Sequence, residues 1–438
     1  MNDHILYREQ TELALRNFRF SSFRFPRPFL AALGMIKGAA ADVNAELGLL
    51  APTIASAIVS SAGEVEAGQY DVQFPLDIFQ TGSCTSTNMN ANEVIASLAT
   101  LRSGIEVHPN DHVNLGQSSN DVIPSAIHLS AVLEVSNRLI PSVTLFADAI
   151  ARKAGRLERV IKTGRTHLMD AVPIRMSQEL SGWEALVRSA ASRLRSELPR
   201  MEELAMGGTA IGTGLNTHPR FGALVAERLA AKTEISFRPS LNYFASISAQ
   251  EPALALSAQL RGLAATFFKI SNDLRWMNSG PVAGLGEISL VPLQAGSSMM
   301  PGKVNPILPE AVAMICAQVQ GNDAAILMAA QSGSFQLNTM LPLIAWNLLS
   351  SINLMTGAAD ALAECVSGFS VNESRIRQLA SQNNTLVTAL VPLIGYDQSA
   401  AIAREALDTG KSIQEVASLR TALSKEKLAE LLDLDHLV

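Results

Sequence analysis

The sequence predicts an all-α protein, and three observations carry that expectation. Of its 438 residues 48% are hydrophobic but only 5% aromatic. The apolar share is mostly Ala, Leu, Val, Ile and Met; Ala and Leu are the strongest helix formers, which favours packed helices over a sheet sandwich. The middle of the chain carries long stretches with apolar residues at helical spacing, separated by short polar runs.

The first long face covers Ser177–Met206, with Leu180, Trp183, Val187, Ala190, Leu194, Leu198, Met201 and Leu204. The second covers Pro252–Met277, where Leu256, Leu260, Leu263, Phe267, Ile270 and Leu274 step by four and three in a near-heptad seam. At ~1.5 Å per residue each helix runs roughly 40 Å, a length natural in a bundle. Ser279-Gly280-Pro281 stops the second helix. A third is expected from Glu310 to about Gln331, after Pro306 and Pro309. Between the helices, Thr81–Asn92, Gly116–Asp121, Lys162–Asp170, Gly207–Thr217 and Gly280–Pro306 read as loops, where function collects on a rigid scaffold. From about Ser370 the chain reads as a smaller, more charged helical domain.

Lys and Arg number 34 against 40 Asp and Glu, a formal net charge of −6, and no long run of either sign points to nucleic acid. Cys84, Cys316 and Cys365 match neither a disulfide framework nor a zinc spacing, which suits a reducing cytoplasm. The first residues lack a secretory pattern, and no run of about 20 apolar residues suggests a membrane span. The expectation is a soluble, cytoplasmic protein.

Phosphate-loop, dinucleotide, HExxH and GxSxG motifs are absent, and Gly212-Thr-Gly214 lacks a third glycine and a preceding strand. His108 and His112 sit four apart, but Pro109 and Asn110 between them favour a turn over a metal-binding helix. What remains is rich in hydroxyls and amides: Thr81–Asn90, Ser118–Asp121 and Thr166-His167. Neutral donors of this kind suit a compact dicarboxylate, since each carboxylate oxygen accepts up to about two hydrogen bonds. The sharpest signal is Gly296-Ser-Ser-Met-Met-Pro-Gly-Lys-Val-Asn-Pro306. Two glycines and two prolines there frame paired serines, a lysine and an asparagine.

That segment resembles the signature of the fumarase/aspartase superfamily, and the resemblance covers nearly the whole chain. TGSCTSTNMNANEVIA from Thr81, HPNDHVNLGQSSND from His108, KTGRTHLMDAVP from Lys162 and GGTAIGTGLNT from Gly207 match its other segments. SSND, the NTH at Asn216–His218 and LVTALVPLIGYD from Leu386 lie closer to class II fumarases than to aspartases. The resemblance implies a three-domain fold (1–117, 118–369 and 370–438) whose long helices form a 20-helix core in a homotetramer, with active sites shared between subunits. It implies no cofactor, no metal and a small dicarboxylate substrate.

It further implies Ser297 as the base, acting as an alkoxide beside Lys303, and His167 as the group activating water or departing hydroxide, oriented by Glu310. Substrate carboxylates would be held by Ser83, Thr85, Ser118, Ser119, Asn120, Thr166, Ser298, Lys303 and Asn305. His108, Asn110 and Asp111 match a secondary dicarboxylate site near the entrance. Four departures bear on the substrate: the short opening has only Glu9-Gln-Thr11, Cys84 replaces a usual glycine, Met169 a usual glutamine, and Leu241–Pro252 is atypical. Fumarate hydration is the leading expectation. Aspartate ammonia-lyase, a lyase acting on a substituted succinate, and a non-catalytic scaffold are the alternatives.

Overall fold

The computed structural model describes residues 5–438. Its helices are α1 (Glu9–Asn17), α2 (Arg27–Glu46), α3 (Pro52–Glu66), α4 (Thr85–Ser103), α5 (Ser119–Glu134), α6 (Ile140–Arg156), α7 (Met176–Met201), α8 (Phe221–Thr233), α9 (Tyr243–Ser248), α10 (Glu251–Met277), α11 (Ile307–Ala330) and α12 (Leu341–Gly368), followed by shorter ones to the C-terminus. The longest sheet strands, β1 (Ile161–Thr166) and β2 (Met169–Arg175), form an antiparallel hairpin; three two-residue ladders complete the β-structure of the described residues.

The chain divides into two compact units. One consists of the segment ending at Ser142 with Ala190–Ala265 and Ile315–Gly357. Its α2 buries Phe29, Leu33, Ile36, Ala40 and Val43 on one face, the three-and-four spacing of an amphipathic helix. α2 approaches α3 so closely that a Cβ on Gly34 would stand 2.8 Å from the Ala62 carbonyl oxygen. The other unit consists of Val143–Ser189, Thr266–Met314 and Ala358–Val438. Near its C-terminus Val387, Leu390, Ile402, Ala406, Ile413, Val416, Ala417 and Leu428 bury one another in a small apolar cluster.

The all-α expectation holds, and all six seam residues of α10 are fully buried. Several details differ, and one is that Thr85–Asn92, part of a run expected as a loop, opens α4. α7 stops at Met201 rather than Met206, because Glu203–Leu204 pairs in parallel with Arg238–Pro239 and the Glu203 carbonyl accepts a bond from the ring of His128 at 2.7 Å. α11 starts three residues earlier than expected; Pro309 is tolerated because the N–H it lacks has no intrahelical acceptor in a first turn. Lys162–Asp170, expected as a loop, lies within the β1–β2 hairpin.

α11 reaches a mean hydropathy of 1.2, enough by length and composition to cross a membrane. Its polar residues instead fit a protein core: Asp323 accepts bonds from Ser257 and Arg261, each at 2.7 Å, and Asn322 donates to Ser351 at 3.0 Å. Burying such groups in hydrocarbon is costly.

Candidate active-site groups

Two helix N-termini meet in the first unit. Cys84 precedes α4 in a left-handed conformation, φ 59°, which costs a non-glycine residue roughly 1–2 kcal/mol. The segment before it is pressed onto neighbouring backbone: Leu341 N–H donates to the Gly82 carbonyl at 3.0 Å, and a Cβ on Gly82 would stand 1.9 Å from the Thr339 oxygen. Ser83 Oγ lies 2.6 Å from Thr85 Oγ1, which lies 2.7 Å from Ser119 Oγ. Ser118 caps α5 in a reciprocal box: its Oγ accepts from Asn120 N–H at 3.2 Å, while its own N–H donates to Asp121 at 2.9 Å. Asn120 Nδ2 donates to the Ala210 carbonyl at 2.8 Å. Three linked hydroxyls at the positive ends of two helices form a donor surface for an anion.

The Cys84 thiol points into the protein, and burial pushes it up to about 12. In the native protein at pH 8 it should therefore resist iodoacetamide and be labelled only on denaturation. Peptide mass spectrometry reads this directly; native labelling at the rate of a free thiol would contradict the buried placement. The start of α1 is also anchored. Glu93 of α4 accepts bonds from the backbone of Arg8, Gln10 and Thr11 and from the Thr11 hydroxyl, at 2.6–3.2 Å.

In the same unit His108 caps a short π-helix, Pro109–Val113, that carries Asn110 and Asp111, and all three side chains are exposed. His108 Nδ1 accepts from Asp111 N–H at 3.0 Å, and His112 Nδ1 accepts from His108 N–H at 2.9 Å. Those bonds leave the Nε2 edge of each ring for other partners.

Thr166 and His167 belong to the second unit, at the tip of the β1–β2 hairpin. Thr166 pairs with Met169, so His167-Leu168 is a two-residue turn with φ 58° and 61°. Positive φ at both positions is the type I′ geometry that normally selects Asn-Gly. Strain of this kind, of order 1–3 kcal/mol per residue, collects at functional sites. The His167 ring is exposed and makes no hydrogen bond or ion pair among the described residues. Beneath the hairpin lies a buried ion cluster: Lys162 Nζ is 2.7 Å from both Glu179 and Glu287, and Arg165 is 2.7 Å from Glu287. Asn383 ties β2 down by donating to the Ala171 carbonyl at 2.7 Å.

The Gly296–Pro306 segment forms a closed loop in this unit. Gly296 N–H donates to the Lys303 carbonyl at 2.9 Å, and Asn305 Nδ2 donates to the Gly296 carbonyl at 2.8 Å. Glycine is needed at this neck, since a Cβ on Gly296 would stand 2.4 Å from the Lys303 oxygen. Ser297 Oγ accepts two backbone N–H bonds, from Met299 at 3.1 Å and Met300 at 2.9 Å. Ser298 and Lys303 are exposed. Lys303, Asn305 and Glu310 line a cavity of about 600 Å³ together with Asn272, Arg275 and Trp276 of α10. Glu310 sits in the first turn of α11, where the helix dipole favours its charge. It makes no ion pair with His167 among the described residues.

The chain thus brings Ser83, Thr85, Ser118, Ser119 and Asn120 together in one unit. In the other, Lys303, Asn305 and Glu310 share a cavity, with Ser297 and Ser298 on the same loop, while Thr166 and His167 stand on the hairpin. Sequence reading gave no role to the groups beneath them: Lys37, Asn114, Gln117 and Asp121 in the first unit, Lys162, Arg165, Glu179, Glu287 and Arg275 in the second. Lys37 had a signal, lying between Leu33 and Ala40 on the apolar stripe of α2.

Residues 2–321 match the family described as lyase, and residues 386–438 match the fumarase C C-terminus. The chain belongs to this lyase family. It is 51% identical over 433 residues to fumarate hydratase class II 2 of Pseudomonas aeruginosa, spanning 99% of this chain and 94% of that protein. It is also 51% identical over 429 residues to fumarate hydratase class II of Xylella fastidiosa, spanning 98% and 91%. Its fold is similar to that of recombinant class II fumarase from Schistosoma mansoni, with a TM-score of 0.95 and 38% identity over 99% of this chain and 96% of that one.

Proposed function

We propose that the chain is a fumarate hydratase of the class II type, interconverting fumarate and L-malate. In the dehydration direction a base removes the proton from the carbon beside one carboxylate, and the hydroxyl on the neighbouring carbon leaves as water. The intermediate is a dianionic aci-carboxylate, so its stabilisation dominates the chemistry. The observation that carries this reading is the Ser297 hydroxyl: two backbone N–H groups converge on its oxygen and favour the alkoxide over the alcohol. The choice of fumarate rests on relatives named fumarate hydratase at 51% identity over nearly the full chain.

In this reading Lys303, Asn305 and Ser298 hold the carboxylate nearest the base. Ser83, Thr85, Ser118, Ser119, Asn120 and Thr166 hold the other. His167 activates the water with Glu310 as its charge partner, and His108, Asn110 and Asp111 receive dicarboxylate on its way in. A homotetramer is part of the same proposal. The hairpin tip exposes Leu168 and Met169, and α11 exposes Met314, Leu327 and Met328, apolar surface suited to burial against further copies. Contributions from several copies would then complete each site. A cytoplasmic location fits three cysteines that are all free thiols.

The test is a substrate panel read by ultraviolet absorbance. Fumarate should lose its double-bond absorbance with water as the only co-substrate, and malate should restore it. Ammonia release from aspartate faster than malate turnover would replace the proposal with the ammonia-lyase reading. No turnover in either direction would sink both.

A further inference from the structure

Behind the Ser118–Asn120 turn stand two fully buried charged side chains, Asp121 and Lys37, that belong to no reacting group. Asp121 spends both carboxylate oxygens on backbone. One accepts from Ser118 N–H at 2.9 Å; the other accepts from Gly207 N–H at 3.1 Å and Thr209 N–H at 2.9 Å. A single side chain therefore ties the cap of α5 to the Gly207–Thr209 turn, and the next residue, Ala210, supplies the carbonyl that anchors the Asn120 amide. That turn is held in unusual conformations, with φ 99° at Gly207 and 54° at Thr209.

Lys37 does the corresponding work from α2. Its buried ammonium donates to Asn114 Oδ1 at 2.9 Å and Gln117 Oε1 at 3.0 Å, on the segment leading into Ser118. Asn114 Oδ1 also accepts from Asn88 and Asn92 of α4, each at 3.2 Å. Lys37 thus gathers α4 and the entry to α5 around one cation. The charged and titratable groups felt here are few: Lys37 from α2, Asp121 from α5 and Tyr243 from α9. Burial lowers Lys37 to about 7 and raises Asp121 to about 6, so neither charge is held cheaply. Buried charges are a poor way to gain stability, since well-packed apolar residues often serve as well. The hydrogen bonds of these two side chains run to segments that carry or flank the hydroxyl and amide donors.

We propose that Asp121 and Lys37 are positioning residues, which fix the Ser118–Asn120 donors against the N-terminus of α4 before a carboxylate arrives. The inference rests on the reading that this turn receives a substrate carboxylate. Donors fixed in advance bind without reorganisation, and a misplacement of about 1 Å can cost ~10²-fold. The carboxylate they hold is not the reacting one, so loosening them removes binding common to ground and transition states. KM then rises while kcat stays.

The experiment compares Asp121→Asn, Lys37→Met and the conservative Asp121→Glu in the full-length protein. Three readouts are taken: KM and kcat for fumarate, calorimetric affinity for succinate as a non-reacting dicarboxylate, and hydrogen exchange by mass spectrometry. For Asp121→Asn and Lys37→Met, KM and the succinate Kd should rise about 10–100-fold with kcat within about threefold of wild type. In Asp121→Asn, exchange should quicken in 116–121 and 205–211 together, and Asp121→Glu should recover part of the affinity. If Asp121→Asn fails to fold, Asp121→Glu and Lys37→Met decide by the same readouts. Wild-type succinate affinity in the folded variants, or a loss of kcat at constant KM, overturns the inference. A wild-type protein that binds succinate without hydrating fumarate removes the proposed activity while affinity and exchange still test the positioning. A wild-type protein that binds no dicarboxylate overturns both.

Discussion

Ser297→Ala should lower kcat for fumarate hydration by about 10²–10⁴-fold, the range associated with losing a positioned proton-transfer group. A serine hydroxyl is an ineffective base in water because its alkoxide is unstable. Here the oxygen receives N–H bonds from Met299 and Met300, and Lys303 on the same loop adds a fixed positive charge. Alanine removes the only atom at this position able to carry the proton. Because the variant also frees two loop N–H groups, the result needs a discriminating measurement. Loss of the base alone lowers kcat and abolishes exchange of the malate methylene proton in deuterated water, while KM moves by less than about tenfold. Collapse of the loop would raise KM as well. Near-normal kcat would take Ser297 out of the role. His167→Asn, by contrast, should change the shape of the pH–rate profile, since it removes the group assigned to exchange protons with the water.

Much of the scaffold was legible because helical periodicity repeats. The α10 seam runs through six apolar positions at steps of four and three, and every one is buried. The β1–β2 hairpin was not legible: β1 is polar, Pro173 interrupts β2, and the turn uses His167-Leu168 where the geometry ordinarily marks itself with Asn-Gly. The Gly296–Pro306 loop was readable as a unit because its two glycines, two prolines and polar residues are contiguous. What sequence could not provide was pairing at a distance. Thr85 meets Ser119 across 34 positions, and Arg165 meets Glu287 across 122, with no local pattern to announce either. The layers beneath the candidate groups of each unit are built almost wholly from such long-range pairs, so no local pattern pointed to them.

The largest stability effect is expected at one of those supports. Glu287 is fully buried and faces two cations, Lys162 and Arg165, each at 2.7 Å; Glu179 supplies the second negative charge. Glu287→Gln preserves shape but leaves two positive charges against one negative in a site almost closed to water. Removing one member of a buried ion set typically costs about 3–5 kcal/mol; here Lys162 keeps Glu179, while Arg165 loses its carboxylate partner. The expected readout is a lower denaturation midpoint and a faster unfolding rate. Lys162→Met should destabilise on the same scale. Combining the two leaves Arg165 and Glu179, one charge of each sign, so the double variant should be less destabilised than the sum of the singles by about 0.5–3 kcal/mol. Strict additivity would show that the four charges do not act as a set. The same cluster sits under the strained turn that presents His167, so Glu287→Gln should also quicken hydrogen exchange in 161–175 before global unfolding. If exchange there matches the wild type while the midpoint falls, the cluster stabilises the unit without steadying the hairpin.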